Sequence, residues 1–230
     1  MKTVQLNQVS RHFGRHYALH KISATLHAGE VTALMGANGA GKTTLLNILA
    51  GIEEPSSGNI KYDSWSWPQF SKHGRRLVGW VSHAPLLYPD LTGMENLTFY
   101  AQMYNLKNTH ELCTSWLKQV GLTEAAHKRV EVYSRGMIQR LTIARALLHD
   151  PSLLLLDEPL TGLDRQARQE MSELFLKQKE QGKILVLSTH DLITLSTICD
   201  RMFVLRKGRL LHESTPQDKE DLIATYEQFA

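Results

Sequence analysis

Three runs of apolar residues stand out along the chain, at residues 31–35, 152–156 and 183–188. Each run is short, favours β structure and is bounded by glycine, proline or polar residues, which predicts strands buried on both faces. Residues 134–149 show a different period, with apolar side chains three and four positions apart, which predicts an amphipathic helix. Strands that alternate with helices in this way indicate an α/β fold with a mostly parallel sheet.

Weaker strand patterns lie towards both ends of the chain. Residues 3–9 and 22–27 alternate between apolar and polar positions, which predicts half-buried strands of an N-terminal antiparallel β region. The basic piece between them, residues 10–17, contains a glycine and is interpreted as turn-like. Further strands are expected at 59–62, 77–82, 201–205 and 209–212, and further helices at 164–180 and 216–229.

A stretch of helical patterns interrupts the α/β pattern. Residues 94–106 and 110–120 are both expected to be helices, with Thr92 and Asn108 as candidate N-terminal caps. The whole chain, residues 1–230, is therefore interpreted as one domain with a helical subdomain inserted into it. The predicted boundaries are 1–82 and 151–230 for the core and 83–150 for the helical subdomain.

Composition narrows the class of protein without naming a site. The 230 residues suit a single globular domain, and the hydrophobic content of 42% is enough for a sizeable core. A net charge of +3 is too small to indicate a nucleic-acid partner, so none is expected. The two cysteines, Cys113 and Cys199, fit no metal spacing and favour a reduced, intracellular protein. We expect no signal peptide, and no run approaches the 18 apolar residues of a membrane span.

The strongest chemical signal follows the apolar run 31–35. The next residues fit the phosphate-binding pattern G-x-x-x-x-G-K-[ST] without a mismatch, and a predicted helix follows. Glycines let the backbone approach an anion closely, and the helix N-terminus adds backbone N–H donors. Lys42 is expected to bind the β- and γ-phosphates, and the Thr43 hydroxyl to bind Mg²⁺. The predicted nucleotide-binding residues are Gly36, Asn38, Gly39, Ala40, Gly41, Lys42, Thr43 and Thr44.

Two carboxylates end the second apolar run. Asp157 suits Mg²⁺, directly or through water, and Glu158 suits a general base that activates the attacking water. His190 follows the third run and is placed to hydrogen-bond the γ-phosphate or that water. Because ligands of parallel sheets bind at the carboxyl ends of strands, the glycine loop and these three side chains are expected to meet. The pattern predicts a nucleotide hydrolase.

The turn-like piece 10–17 also holds aromatic rings. Phe13 lies upstream of the phosphate loop and is placed to stack on a nucleotide base, with a core aromatic as the alternative. His12, His16 and His20 are spaced by four, as metal ligands on a helix would be. The strand-like runs on either side make a helix here unfavourable, so we set the metal interpretation aside.

Five motifs in order resemble the ATP-binding subunits of ABC transporters along essentially the whole chain. They are the Walker A loop at 36–44, a signature segment at 133–137 followed by Gln139 and Arg140, Walker B at 153–158, the D-loop at 161–164 and the switch histidine His190. Phe13 matches the aromatic residue that stacks on adenine in that family. The resemblance implies an α/β P-loop NTPase fold of the ABC nucleotide-binding type.

This resemblance also implies how the protein works. It implies ATP and Mg²⁺ as cofactors, and a head-to-tail homodimer with two ATP molecules in its interface. Ser134 and Gly136 of one chain would complete the nucleotide site of the other, together with Asp164 of the D-loop. The helical subdomain would dock onto an integral-membrane subunit, which places the chain at the cytoplasmic face of the cell (inner) membrane. Hydrolysis would then power export through that subunit.

The chain departs from the usual family pattern at two places. Arg135 and Met137 stand in the signature where Gly and Gln are usual, and their roles are left open. His83 stands where the family usually has a Gln that contacts Mg²⁺ or water, so we place His83 in the nucleotide site. His83 and the segment 91–100 resemble the ATP-binding subunit of the haem exporter of cytochrome c maturation.

Other classes of protein remain as alternatives. Exporters of drugs, lipids or polysaccharides are close in sequence to the haem-exporter subunit. A soluble ABC ATPase that acts on ribosomes or DNA, or a regulatory module, is a further alternative, although this chain has one cassette and no coiled-coil arm. A P-loop kinase or GTPase fits less well, because the chain has no Asn-Lys-x-Asp run for guanine.

Overall fold

The computed structural model describes residues 1–189 and 191–229, and this part of the chain forms ten strands and eight α-helices. The strands are β1 (Thr3–Phe13), β2 (His16–His27), β3 (Glu30–Met35), β4 (Ser57–Tyr62), β5 (Trp65–Ser66), β6 (Val78–Val81), β7 (Leu153–Asp157), β8 (Ile184–Ser188), β9 (Arg201–Arg206) and β10 (Arg209–Ser214). The helices are α1 (Lys42–Leu49), α2 (Trp67–His73), α3 (Gly93–Met103), α4 (Thr109–Gln119), α5 (Arg135–Leu147), α6 (Arg165–Glu180), α7 (Leu192–Ile198) and α8 (Lys219–Phe229).

The larger sheet has six strands in the order β10-β9-β3-β8-β7-β6. Neighbours from β9 to β6 are parallel, and only β10 is antiparallel, which confirms the predicted mostly parallel core. Strands β3, β7 and β8 are covered on both faces, which explains why their sequences are continuously apolar. Because these three strands are parallel, their carboxyl ends lie at one edge of the sheet.

The smaller sheet is antiparallel, in the order β2-β1-β4-β5, and it confirms the predicted N-terminal β region. The turn-like interpretation of residues 10–17 was wrong. Strand β1 continues to Phe13, which pairs with His16, so that only two residues form the turn. Register shifts along the β1–β2 pair accommodate residues that do not alternate between apolar and polar. The cross-strand hydrogen bonds keep the segment in a strand despite its local turn signals. The helix that metal ligation by His12, His16 and His20 would need is not formed.

The helices α3, α4 and α5 follow β6 in succession, as the sequence predicts. The Thr92 hydroxyl caps α3 by accepting a hydrogen bond from the Glu95 N–H at 3.1 Å, and the Glu95 carboxylate accepts one from the Thr92 N–H. Asn108 precedes α4 in a left-handed conformation and makes no side-chain cap bond, so it is a cap by position only. Helix α5 begins at Arg135, one residue later than the predicted start, because Ser134 serves as its N-cap.

Two apolar layers hold these elements together. One layer packs α1 and α2 between the smaller sheet and one face of the larger sheet. The other layer packs α3 to α8 against the opposite face. Along β7, Leu153 and Leu155 enter the first layer, and Leu154 and Leu156 enter the second. The sheet is therefore the common wall that fixes the loops at its carboxyl edge.

Candidate functional site

The glycine loop after β3 has a backbone that only glycine tolerates at its key positions. Gly36, Gly39 and Gly41 all have positive φ, at 137°, 80° and 107°. A Cβ on Gly41 would lie 2.5 Å from the Ala18 carbonyl oxygen, and a Cβ on Gly36 would collide with the Leu205 carbonyl. The loop is thus pressed against neighbouring backbone on one side, with its other side facing an open cleft.

Helix α1 begins directly at the end of this loop. Its N-cap residue, Gly41, has no side chain to accept from the first-turn N–H groups. Those N–H groups therefore keep their hydrogen-bonding capacity for an anion, and the helix dipole adds positive potential at the same point. The geometry confirms a strand, glycine loop and helix in the predicted order.

The side chain of Lys42 is held inside the loop. Its Nζ donates to the carbonyl oxygens of Gly36 at 2.6 Å and Ala37 at 3.2 Å, and the residue is buried. Burial lowers the pKa of Lys42, and the carboxylates of Glu158 and Asp157 oppose that shift by raising it. Burial removes the Lys42 ammonium from water, and a bound phosphate would compensate that loss with a charge-assisted hydrogen bond.

The buried carboxylate of Asp157 joins the phosphate loop to the sheet. Asp157 Oδ2 accepts from the Thr43 hydroxyl at 2.8 Å, and Asp157 Oδ1 accepts from the Ser188 hydroxyl at 2.5 Å. Asp157 and Ser188 are paired in register at the ends of β7 and β8. The predicted magnesium residues, Thr43 and Asp157, are thus brought together. The sequence reasoning missed Ser188, whose sequence signal was only that it ends an apolar strand; its place beside Asp157 comes from the register of β7 and β8.

Glu158 leaves the sheet in a conformation unusual for a side-chain-bearing residue. Its φ is 52°, and its N–H donates to both the backbone oxygen and the hydroxyl of Ser188, at 3.0 and 3.2 Å. Thr161 Oγ1 donates to Glu158 Oε2 at 3.4 Å. Gln139 Nε2, from α5, donates to the Pro159 oxygen at 2.8 Å. These bonds fix the direction in which the Glu158 carboxylate leaves β7.

An open cleft of about 690 Å³ lies above these groups, within the size range of small-molecule sites. Most of the predicted residues line it, so the structure brings the phosphate loop, the two carboxylates after β7 and His83 together. Those lining residues are Asn38, Gly39, Gly41, Lys42, Thr43, Thr44, His83, Asp157 and Glu158. The cleft is also lined by residues that the sequence reasoning did not assign to the site, among them His16, Arg135, Ile138 and Gln139.

His83 reaches the cleft from the segment after β6. Its Nε2 lies 3.3 Å from Asp157 Oδ2, although its side chain is 68% exposed and that of Asp157 only 2%. The oxygen that His83 contacts is the one that accepts from Thr43. The structure therefore places His83 beside the predicted magnesium residues.

Other predicted site residues lie away from the described walls of this cleft. Ser134 caps α5, accepting from the Met137 N–H at 3.2 Å, and Gly136 lies in the first turn of the same helix. Asp164 caps α6 by accepting from the Ala167 N–H at 2.8 Å. Phe13 is half exposed, with the Arg11 guanidinium 4.7 Å above its ring.

The remaining predicted site residues are Gly36, Ala40 and His190. Gly36 and Ala40 shape the loop without lining the described cleft. His190 falls outside the described residues, so its predicted role stays a prediction.

Comparison of the sequence with known proteins agrees with this geometry. A profile of the ABC transporter family matches residues 19–161. The Nod factor export ATP-binding protein I of Burkholderia lata is 37% identical over 215 residues, which is 93% of this chain and 71% of that protein. The linearmycin resistance ATP-binding protein LnrL of Bacillus subtilis is 32% identical over 217 residues, covering 94% of this chain and 70% of that protein.

Solved structures give the same answer. A structure described as an ATP-binding subunit of an ABC transporter superimposes with a TM-score of 0.88 at 27% identity, covering 98% of this chain and all of that one. The dimeric ATP-binding cassette MJ0796, in a post-hydrolysis state bound to ADP and Pi, superimposes with a TM-score of 0.84 at 28% identity, covering 92% of this chain and 98% of that one. The chain therefore belongs to the ABC transporter family, as an ATP-hydrolysing cassette.

Proposed function

We propose that this chain is the ATPase subunit of an ABC exporter, with Mg²⁺ as its metal cofactor. The observation that carries the proposal is the chain of hydrogen bonds from Thr43 through Asp157 to Ser188. It joins the phosphate loop to the carboxyl ends of two parallel strands, so that one rigid edge presents the cation, the metal ligands and the carboxylate base. Thr43 and Asp157 would hold Mg²⁺, which neutralises phosphate charge when bound.

The residues of the cleft divide the work between binding and hydrolysis. Lys42 and the N–H groups at the start of α1 bind the β- and γ-phosphates. Glu158 accepts the proton of the attacking water, or orients that water for attack. His190, proposed from the sequence, hydrogen-bonds the γ-phosphate or the water.

The variant Glu158→Gln tests the hydrolytic role. It keeps the size of the side chain and removes the proton acceptor, so we expect ATP turnover to fall about 10²- to 10⁴-fold while the Kd for ATP changes only a few-fold. Glu170→Gln is the matched control, since that exposed glutamate accepts a hydrogen bond from Gln166 on the surface of α6. Phosphate release and equilibrium nucleotide binding are the measurements. Turnover within a few-fold of wild type in Glu158→Gln would remove Glu158 from the base role.

The proposed working unit is a head-to-tail homodimer with two ATP molecules. Ser134 is exposed and Gly136 partly exposed at the start of α5, and neither lines the described walls of its own chain's cleft. They would instead contact the γ-phosphate bound to the partner chain, while Phe13 stacks on adenine and Asp164 lies at the interface. The dimeric state of the solved MJ0796 cassette supports this arrangement. ATP then stabilises the closed dimer, and hydrolysis releases it.

An exposed apolar patch supports a membrane partner. Leu86, Tyr88, Phe99 and Met103 are between 36% and 64% exposed and belong to the proposed helical subdomain, residues 83–150. The Tyr88 and Phe99 rings meet edge to face, with centroids 5.0 Å apart. None of the described helices has the length and apolar character that crossing a bilayer requires. We propose that this patch receives a segment of an integral-membrane subunit, which would place the chain at the cytoplasmic face of the cell (inner) membrane.

The proposed cargo is haem, exported during cytochrome c maturation. The resemblance of His83 and segment 91–100 to haem-exporter subunits supports this proposal. The names of the similar proteins, Nod factor export and linearmycin resistance, favour the alternative of an exporter for another cargo. In either case the membrane subunit, and not this chain, would form the path of the cargo.

Co-purification from gently solubilised membranes of the native host separates these possibilities. Membrane proteins of cytochrome c biogenesis would support haem export, and a lone permease would support another exporter. Recovery should fall at least about tenfold with Phe99→Asp, and stay unchanged with Ile52→Asp, another exposed apolar residue. Ribosomal or DNA-repair proteins with no membrane protein would contradict the transport role.

A further inference from the structure

The metal half of the nucleotide site contains one candidate ligand that is a nitrogen. Asp157 Oδ2 accepts from Thr43 Oγ1 at 2.8 Å and lies 3.3 Å from His83 Nε2. The His83 side chain is mostly exposed and lines the cleft, so its ring is accessible to a bound ion. The nitrogen and the two oxygens thus share one corner of the cleft.

The spacing of these atoms matches that of a coordination shell. Neighbouring ligands of an octahedral ion with bonds of about 2.1 Å are about 3 Å apart. The Thr43–Asp157 and His83–Asp157 distances both lie close to that separation. An ion can therefore replace the direct contacts among these groups without a rearrangement of the sheet edge.

The protein offers only part of a coordination shell. Within residues 1–189 and 191–229, no three His, Cys, Asp or Glu side chains converge as a metal cage. Phosphate oxygens and water must supply the remaining positions, as is usual for ions bound together with nucleotides. Under these conditions a single protein nitrogen has a large influence on which ion is preferred.

We propose that His83 makes the nucleotide-metal site of this chain a mixed nitrogen and oxygen site that favours Mn²⁺ over Mg²⁺. Mg²⁺ selects oxygen ligands, whereas imidazole nitrogen is a good ligand for first-row transition metals. The inference rests on the proposed function, because it assigns a metal preference to the site that binds Mg-ATP. It gives His83 a role that a glutamine at the same place could not fill.

Pulsed EPR on Mn²⁺ tests the ligand directly. The full chain is loaded at pH 8 with Mn²⁺ and β,γ-methylene-ATP, whose phosphate chain contains no nitrogen. We expect a ¹⁴N coupling from a coordinated imidazole, replaced by a ¹⁵N coupling when the protein is labelled with [¹⁵N]histidine. His83→Gln should lose the coupling. His16→Gln is the matched control, since His16 lines the same cleft, and it should keep the coupling.

Nucleotide affinity gives the second measurement. The ratio of the Kd with Mg²⁺ to the Kd with Mn²⁺ should fall about tenfold in His83→Gln and stay unchanged in His16→Gln. Nucleotide binding without a histidine coupling in the wild-type protein would overturn the inference and leave the proposed function intact. Absence of nucleotide binding with either ion would overturn both the proposed function and the inference that rests on it.

Discussion

We propose that two helix N-termini bind phosphate, and the residues that begin the two helices differ in whether they cap the helix. Helix α1 begins after Gly41, which cannot cap it, inside a loop pressed against neighbouring backbone. Helix α5 begins after Ser134, whose hydroxyl already accepts from the Met137 N–H, at an exposed position. The first N-terminus is open to an anion within a single chain. At the second, the Ser134 hydroxyl already accepts from one of the first-turn N–H groups, and Ser134 does not line the described walls of its own chain's cleft.

Helix α5 is stabilised by contacts at its C-terminal end. At this end, Arg145 donates to the Trp80 oxygen at 2.6 Å and His149 Nε2 lies 3.0 Å from the Val78 oxygen. The Tyr104 ring stacks on His149 with centroids 4.0 Å apart. Because β6 and α3 fix this end, Ser134 can be presented at the surface in a defined direction. We interpret α1 as a site for the chain's own nucleotide and α5 as a contact for a partner's nucleotide.

The largest effect should come from removing the cation at α1. Lys42→Ala eliminates an ammonium held in the loop by the Gly36 oxygen, so the Kd for ATP should rise at least about 100-fold, or ~3 kcal/mol. Lys61→Ala, on the exposed face of β4, is the control for loss of a positive charge. Calorimetry with Mg-ATP measures both variants. A change below about fivefold for Lys42→Ala would mean that α1 is not the phosphate site.

The anchor of α5 should weaken in acid. Burial lowers the pKa of His149 to about 4, with Arg145 and Lys183 adding to the shift and the Val78 carbonyl and Asp150 opposing it. As the pH falls, His149 is therefore protonated in the unfolded chain before it is protonated in the folded chain. The stability contributed by the neutral ring is complete above about pH 6.5 and falls by at most about 3 kcal/mol as the pH approaches 4.

Urea denaturation between pH 7.5 and 4.5 measures this loss. His149→Gln can still donate to the Val78 oxygen but does not titrate, so its free energy of unfolding should depend less on pH than that of the wild type. His73→Gln, which replaces an exposed histidine, should leave the wild-type slope unchanged. If the free energy of unfolding depends on pH equally in His149→Gln and wild type, a neutral His149 does not stabilise this end of α5.

The site around α1 also shows which contacts can be predicted from the sequence and which cannot. The strand β3, the glycine loop and α1 are contiguous in the sequence. The apolar pattern and the glycine motif together therefore predicted this part of the site. The contact of Ser188 with Asp157 depends on the register of β7 against β8, which is not local. Helix α7 was not predicted because its sequence, rich in Ile and Thr, has low helix propensity. Burial of Leu195 and Ile198 stabilises it.

The next effect concerns the N-terminus of α5, which we propose contacts the partner's nucleotide. Ser134→Arg places a long cation at the exposed start of α5, away from the described walls of its own chain's cleft. We expect the single chain to bind ATP within about twofold of wild type, while turnover that requires the dimer falls at least about tenfold. Ser115→Arg, on the exposed face of α4, is the control for an added arginine. Loss of ATP binding by the Ser134→Arg monomer would place Ser134 in the site of its own chain.

The smallest expected effect separates capping from phosphate binding. Ser134→Ala removes the bond to the Met137 N–H, and Thr92→Ala removes the bond to the Glu95 N–H at the start of α3. Each loss should lower the free energy of unfolding by about 1 kcal/mol, because each leaves one first-turn N–H without its side-chain acceptor. Denaturant titration of both variants, together with sedimentation in ATP, makes the distinction. If Ser134 also contacts the partner's phosphate, only Ser134→Ala weakens the ATP-dependent dimer, and equal dimerisation of the two variants would limit Ser134 to a capping role.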